Sequence, residues 1–403
     1  MVIDNFQTLG IAVGALLLGE WLRQKVKLFT RFCIPAPVVG GLLFSLFTLI
    51  CHNTGSVTFE FDDALKNFFM VFFFTSVGFQ ANVKVIKKGG KPLMILLTLV
   101  MILIVLQNTL AIGLGNLVGI DSMTAMTAGS IPMIGGHGTA GAFGPLLESM
   151  GVAGATTIAT AAATFGLVGG SLIGGPLAER LIHKYQLSGF THTSVIRDVN
   201  IAMPVDEEKP QPRTVMHTLG SYNKAIFTMS IAVALGTLVS KALSATGMTF
   251  PIYIGAMIVA AVMRNVGEKY EQWKVPMHEI NDFGGICLSI FLGIAMVTLK
   301  LWELADLALP LVVMLTGQLI LMLLYARFVI FNQMGRDYDA AVLTAGSCGF
   351  GMGATPNAMA NMQAVCSRYH YSVQAFLLIP IVGSMFVDFL NSVAITTLVN
   401  VLK

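Results

Sequence analysis

Apolar residues fill the chain in long runs broken by short polar clusters, near 6–22, 34–52, 67–83, 92–118, 153–182, 219–243, 250–266, 282–300, 305–331 and 373–401. A helix of about 20 apolar residues spans the hydrocarbon core of a bilayer, so these ten runs predict ten membrane-crossing helices. The third and seventh are short or polar at their ends. Two further stretches, 121–151 and 336–368, are long and moderately apolar but interrupted, by GSIPMIGGHGTAGAFGP in the first and GSCGFGMGATPNAMA in the second. Glycine and proline at this density do not make an unbroken spanning helix. Backbone freed from helical bonding cannot face lipid, where each unpaired group costs several kcal/mol. Both stretches are therefore expected to be re-entrant hairpins, enclosed by protein or lining a wet cavity.

The two halves of the chain echo each other. AMTAGS at 125–130 answers VLTAGS at 342–347, and GGHGTAGA at 135–142 answers GMGATPNA at 351–358. Gln107 answers Gln318, and LVGGS at 167–171 answers IVGS at 381–384. Each half reads as five spans with a broken segment between the fourth and fifth. Five is odd, so the second half has to enter from the opposite face, which makes an inverted-topology repeat. The expected fold class is an all-α polytopic membrane protein with an N-terminal repeat over 1–183, a linker over 184–218 and a C-terminal repeat over 219–403.

Composition agrees: 55% of the 403 residues are hydrophobic and 11% are charged, against roughly 25% charged in soluble domains. A net charge of +3 does not indicate nucleic acid, because the basic residues cluster beside apolar runs, where they report topology. One side receives 20 of the 24 Lys and Arg residues, including Arg23, Lys84, Arg197, Lys209, Arg213 and Lys274. The other receives Lys66, Lys241, Lys300 and Lys403. The predicted orientation has both termini outside and the linker in the cytoplasm. The five cysteines (Cys33, Cys51, Cys287, Cys348 and Cys366) lack CxxC or Cys/His spacing, so neither disulfides nor zinc are expected. No basic residue precedes the first apolar run, where Asp4 sits, so it is read as a spanning helix rather than a cleaved leader.

Paired broken segments in an inverted repeat are an arrangement of carriers. Helix N-termini at the break attract carboxylates, and freed carbonyls and hydroxyls suit a small cation. Gly135, Gly136, Gly138 and Gly353 let backbone approach a ligand, Thr139 and Thr355 offer hydroxyls, and Pro356 and Asn357 open the helix after the second break. The competing reading is that these glycines only permit tight helix crossing. Asp388 lies inside the last span with Asn391 three residues on, on the same face. An intramembrane carboxylate costs about 2.5–3.5 kcal/mol on insertion scales, so Asp388 is a candidate for sodium or for a substrate ammonium, against a purely structural role. Gln107 and Asn108 either face the cavity or bond between helices. His137 is either a hydrogen-bonded hairpin residue or a proton site. Arg327, Glu20 and Glu179 read as membrane-edge residues whose long stems snorkel. Neither HExxH nor GxSxG occurs, so an enzyme is not expected.

GGHGT at 135–139, GFGMGATPNAMANMQA at 349–364 and KLWELADLALP at 300–310 resemble the bacterial sodium/glutamate symporter family, with the likeness weakest in the linker. The resemblance implies sodium-coupled uptake of L-glutamate across the inner membrane by a lipid-embedded homodimer, with sodium as coupling ion and no organic cofactor. It also implies similarity to citrate/sodium carriers, in which a transport domain moves against a scaffold, and it favours Asn361 as a ligand. Sodium is expected near Asn108, Thr139, Thr355, Asn361, Asp388 and Asn391. The alternative is a proton-coupled or exchange carrier of another organic anion using His137 or Asp388.

Overall fold

The computed structural model describes residues 2–187, 215–245, 251–269, 275–302 and 307–403, apart from Cys33, Ser56, Thr58 and Asp63. Arg197, Lys209, Arg213 and Lys274 of the charge count, most of the linker and residues 303–306 lie outside the described set.

Each predicted apolar run falls on a helix. In the first half these are α1 (Asn5–Lys25), α2 (Ala36–Asn53), α3 (Ala64–Gln80) and α4 (Val83–Leu117), then α5 (Gly136–Ser149) in the broken stretch and α6 (Ala155–Tyr185). The second half supplies α7 (Val215–Ser244), α8 (Ile252–Gly267), α9 (Met277–Val297) and α10 (Ala308–Tyr325). It continues with α11 (Tyr338–Gly351), α12 (Thr355–Cys366), α13 (Val373–Ile381) and α14 (Asp388–Leu402). Six stretches among the described residues are long and apolar enough to cross a membrane: Ala36–Asn53, Gly90–Leu117, Ala155–Tyr185, Gly220–Leu243, Met277–Val297 and Ala308–Gln333. Two two-residue strands, β1 (Val2–Ile3) and β2 (Glu60–Phe61), pair in parallel and pin the N-terminus to the loop after α2.

Local chemistry sets the helix starts. Asp4 caps α1 by accepting from Phe6 N and Gln7 N, and Gln7 Oε1 accepts in return from Asp4 N at 3.2 Å. This reciprocal box satisfies N–H groups that the first turn leaves unpaired, worth about 1 kcal/mol. The first helix in each broken stretch is capped by an aspartate: Asp121 accepts from Met123 N at 2.9 Å and Asp337 from Ala340 N at 2.8 Å.

The helices sort into two packed bodies. In body one, α1, α2, α3, α7, α8 and α9 pack on one another. In body two, α4 gathers with α5, α6 and α10–α14. Each half of the chain thus gives its first three long helices to body one and the remainder, with its broken segment, to body two. The bodies meet where α9 faces α5 and where α3 faces the last span. Aromatic rings fill that seam: Phe74 stacks on Tyr253 with centroids 4.1 Å apart, and Phe143 of α5 meets Tyr253 edge-on at 6.0 Å. Elsewhere on α5, Gly138 faces Phe73 and Leu288 and Gly141 faces Phe291.

Where the chain passes from body one to body two it is tied down. Asn82 caps α4 and donates to Glu268 Oε1, Val83 N donates to Asn265 Oδ1 at 2.9 Å, and Asn265 Nδ2 donates to Ala81 O at 2.8 Å. Glu268 also pairs with Arg264 at 2.7 Å and Lys84 at 3.6 Å. Beyond this staple α4 breaks at Gly90, whose φ of 62° and ψ of −160° are outside the helical region, and Pro92 follows.

Candidate functional site

The two broken stretches converge inside body two. In the first, Ser122–Ala125 and a 3₁₀ turn at Met126–Ala128 lead to Gly129 (φ −88°, ψ −143°), a short turn Ser130–Met133, and a second break before α5. Gly136, the first residue of α5, borders that break with φ 57°, a left-handed conformation that glycine adopts at no steric cost. In the second stretch α11 and α12 are separated by Met352–Ala354. The breaks touch: a Cβ on Gly136 would lie 2.6 Å from the carbonyl oxygen of Gly353.

Helix α4 runs between the two breaks and reaches both through consecutive amides. Asn108 accepts from Ser130 N at 3.0 Å and donates to Ser130 Oγ at 2.8 Å, while Asn391 Nδ2 on α14 donates to Ser130 O at 3.0 Å. Ser130 is thereby held by side chains from two other helices. One residue earlier, Gln107 Nε2 donates to Gly351 O at 2.7 Å, and Gln318 Nε2 donates to Gln107 O at 2.8 Å. Gln107 Oε1, Gln318 Oε1 and Asn391 Oδ1 are buried with no hydrogen-bond partner among the described residues, as are the hydroxyls of Ser347, Thr160 and Thr396. Such oxygens cost about 1–3 kcal/mol each when left unpaired in an interior, and amide and hydroxyl oxygens are ligands of the kind a small hard cation takes.

Asp388 opens α14 directly after a π-helical segment, Val382–Val387. It is half-buried, with Asn391 and Ser392 one turn on, both buried. The π segment brings Gly383 against Thr355, whose Oγ1 would be 2.7 Å from a Cβ there. π-helical turns inside longer helices recur at functional sites.

Other predicted ligands are engaged elsewhere. The Asn357 side chain is fully buried, with Nδ2 donating to Leu167 O at 3.1 Å and Oδ1 accepting from Ser171 Oγ, both on α6. Asn361 Nδ2 donates to Gly170 O at 3.0 Å and Ala345 O at 3.2 Å, bracing α12 against α6 and α11. Gly170 and Gly174 of α6 leave the room this needs: a Cβ on Gly170 would come within 2.7 Å of Cys348 O. His137 Nε2 pairs with Thr164 Oγ1 at 3.0 Å, Thr139 lies against Gly135, and Gly138 faces the seam rather than the junction. Arg327 Nη2 donates to Tyr185 OH at 3.3 Å, and Glu179 pairs with Arg368. Gln107 and Gln318 were visible in sequence as a matched pair; Ser130 and Ser347 were visible only as part of the TAGS repeat, with nothing local to mark them.

Asn361→Ala is expected to lower the thermal midpoint of the purified protein, with a loss of about 1–3 kcal/mol for two broken donors. An unchanged midpoint together with weakened sodium dependence would make Asn361 a ligand rather than a brace.

A helical fold with apolar spans, divided into two bodies and centred on broken helices that meet among buried amides and hydroxyls, defines a class: multi-pass membrane proteins with a polar centre. The comparisons agree with that class. The sodium/glutamate symporter family profile matches residues 1–371. The sodium/glutamate symporter of Escherichia coli (strain K12) is 39% identical over 395 residues, 98% of this chain and 96% of that protein. That of Haemophilus influenzae (strain ATCC 51907 / DSM 11121 / KW20 / Rd) is 37% identical over 392 residues, 96% and 95% of the two chains. The chain belongs to the sodium/glutamate symporter family, whose members are transporters and not enzymes.

Proposed function

We propose that this protein takes up L-glutamate driven by the sodium gradient. The observation that carries the reading is the contact of Gly136 with Gly353 at the meeting point of the two broken stretches, with Gln107 and Asn391, whose amides bond Gly351 O and Ser130 O, each keeping a buried oxygen without a partner among the described residues. Those oxygens, with Asp388, supply sodium ligands. Backbone N–H groups at the starts of α5 and α12 supply donors for substrate carboxylates. Sodium and glutamate bind together, so that neither crosses the apolar seam with its charge uncompensated, and each net charge moved gains about 2.3 kcal/mol per 100 mV.

On this reading the two halves form an inverted repeat with re-entrant hairpins over about 121–151 and 336–368. Both termini are periplasmic and the linker is cytoplasmic, in a bacterial inner membrane. Body two carries the site past body one, giving alternating access. Gly138 and Gly141 on α5 keep side chains out of the stretch facing Phe73 and Phe291, which supports such sliding at those positions. The protein works as a homodimer in lipid. The outward row Phe227, Ile231, Leu235 and Leu238 on α7 is exposed in the single chain and available to a second copy or to acyl chains.

Proteoliposomes loaded without sodium are expected to accumulate glutamate when sodium is added outside, and to accumulate little when sodium is equal on both sides. Equal uptake in the two conditions would remove sodium coupling. Uptake driven by a pH jump alone would favour a proton-coupled carrier.

A further inference from the structure

Tyr253, in the first turn of α8 on body one, is fully buried in the seam. Its ring is fixed by the stack on Phe74 of α3 and by the edge of Phe143 of α5, and it shares one apolar cluster with Ile395 and Val399 of α14. A ring held in this way delivers its hydroxyl to one place, and that place is on the other body. The hydroxyl meets the side chain of Ser392 on α14, with the Asp388 carboxylate near enough to act on it. Neither hydroxyl has another hydrogen-bond partner among the described residues.

Ser392 departs from the habit of other helical hydroxyls in this protein. Thr98, Thr109, Ser289 and Thr397 each donate to the carbonyl four residues back, at 2.8–3.0 Å, which is the local bond a helix offers such residues. Ser392 is buried and does not make that bond to Asp388 O. Tyr253 holds its Oγ instead, on the helix face that also carries Asp388 and Asn391. Asn391 spends its amide donor on Ser130 O and keeps Oδ1 unpartnered. A carboxylate, an amide oxygen and a hydroxyl oxygen are thus neighbours on one face of α14.

We infer that Tyr253 is a positioning residue for the sodium ligands, and that it makes sodium affinity depend on where body two stands against body one. With the Ser392 proton given to Tyr253, both lone pairs of Oγ remain for a cation beside Asp388 and Asn391. When body two slides, Ser392 leaves Tyr253 and falls back on Asp388 O, as Thr397 does on Val393 O in the same helix. That bond lays Oγ against its own helix and takes it out of the set. Sodium is then held more tightly on one side of the membrane than on the other. The inference rests on the transport reading, and its test separates the two.

The experiment titrates sodium in glutamate uptake by right-side-out and inside-out vesicles for wild type, Tyr253→Phe, Ser392→Ala and the double variant. Tyr253→Phe keeps the stacked ring and removes the hydroxyl. It is expected to raise half-saturating sodium about three- to tenfold on one side of the membrane only, the effect of about one net hydrogen bond, with Vmax and the glutamate KM at saturating sodium kept. Ser392→Ala should raise it at least as much. Adding Tyr253→Phe to Ser392→Ala should change nothing further, because the tyrosine acts through the serine. An unaltered sodium curve in either single variant, an equal shift on both sides, an additive double variant, or a fall in Vmax at unchanged half-saturating sodium would each overturn the role of Tyr253 while leaving transport standing. Wild-type uptake that ignores sodium would overturn both.

Discussion

Gly136→Val is expected to bring glutamate uptake to background while the protein still inserts and elutes as a single species. Two costs coincide at this position. The backbone has φ 57°, where a residue with a Cβ loses about 1–2 kcal/mol and a β-branched one more. The new Cβ would also lie 2.6 Å from Gly353 O, well inside contact distance, and a backbone carbonyl cannot swing aside as a side chain can. The two breaks must separate, and with them the groups that α4 holds through Gln107 and Asn108. Insertion depends instead on apolar length, which the substitution leaves alone. Gly353→Val should act in the same direction, since its Cβ would meet Leu167 Cδ2 at 2.8 Å and Asn357 Nδ2 at 3.0 Å. Wild-type uptake by both variants would show that the junction is not the site.

The other large effect is expected from Asp388→Asn, which keeps shape and removes charge. The carboxylate sits between a π-helical segment and the buried pair Asn391 and Ser392. It is the one acidic residue of the last two helices. If it is the anionic ligand of a sodium set otherwise made of neutral oxygens, its loss should raise the sodium concentration for half-maximal uptake tenfold or more, equivalent to about 1.4 kcal/mol. Glutamate saturation at high sodium should change much less. A sodium titration of uptake decides it. An unaltered curve would leave Asp388 structural, and a selective change in glutamate KM would move it to the substrate ammonium.

The positions of the helices were legible in sequence because apolar length is a local property, and the two interruptions were legible because glycine and proline break helices wherever they occur. The division into bodies was not. Nothing in α3 or α4 taken alone says that one packs with α9 and the other with α10. The amides show the same limit at finer scale. Asn357 follows the second break and Asn361 was favoured as a ligand by the family resemblance, but nothing in either stretch shows that α6 passes close enough, across Gly170 and Gly174, for its carbonyls to accept from both amides. The repeat itself hid a difference. AMTAGS and VLTAGS look equivalent, but the first breaks at Gly129 while the second runs helical through Gly346. The cause lies outside both motifs: Asn108 reaches in to bond Ser130, and a Cβ at Gly129 would be 2.5 Å from its Oδ1. The matching position in the other half, Leu319, has nothing to donate or accept.

The staple at Asn82, Asn265 and Glu268 fixes the first turn of α4 to body one, although the rest of that helix belongs to body two. Any displacement of body two on the proposed motion has therefore to be absorbed within a few residues, and Gly90 is the residue there already off the helical path. On that motion Gly90 would be a pivot with one arm bolted down. The reach of the stroke on that edge is then limited by the length of the lever beyond the pivot, and not by stretching of a loop.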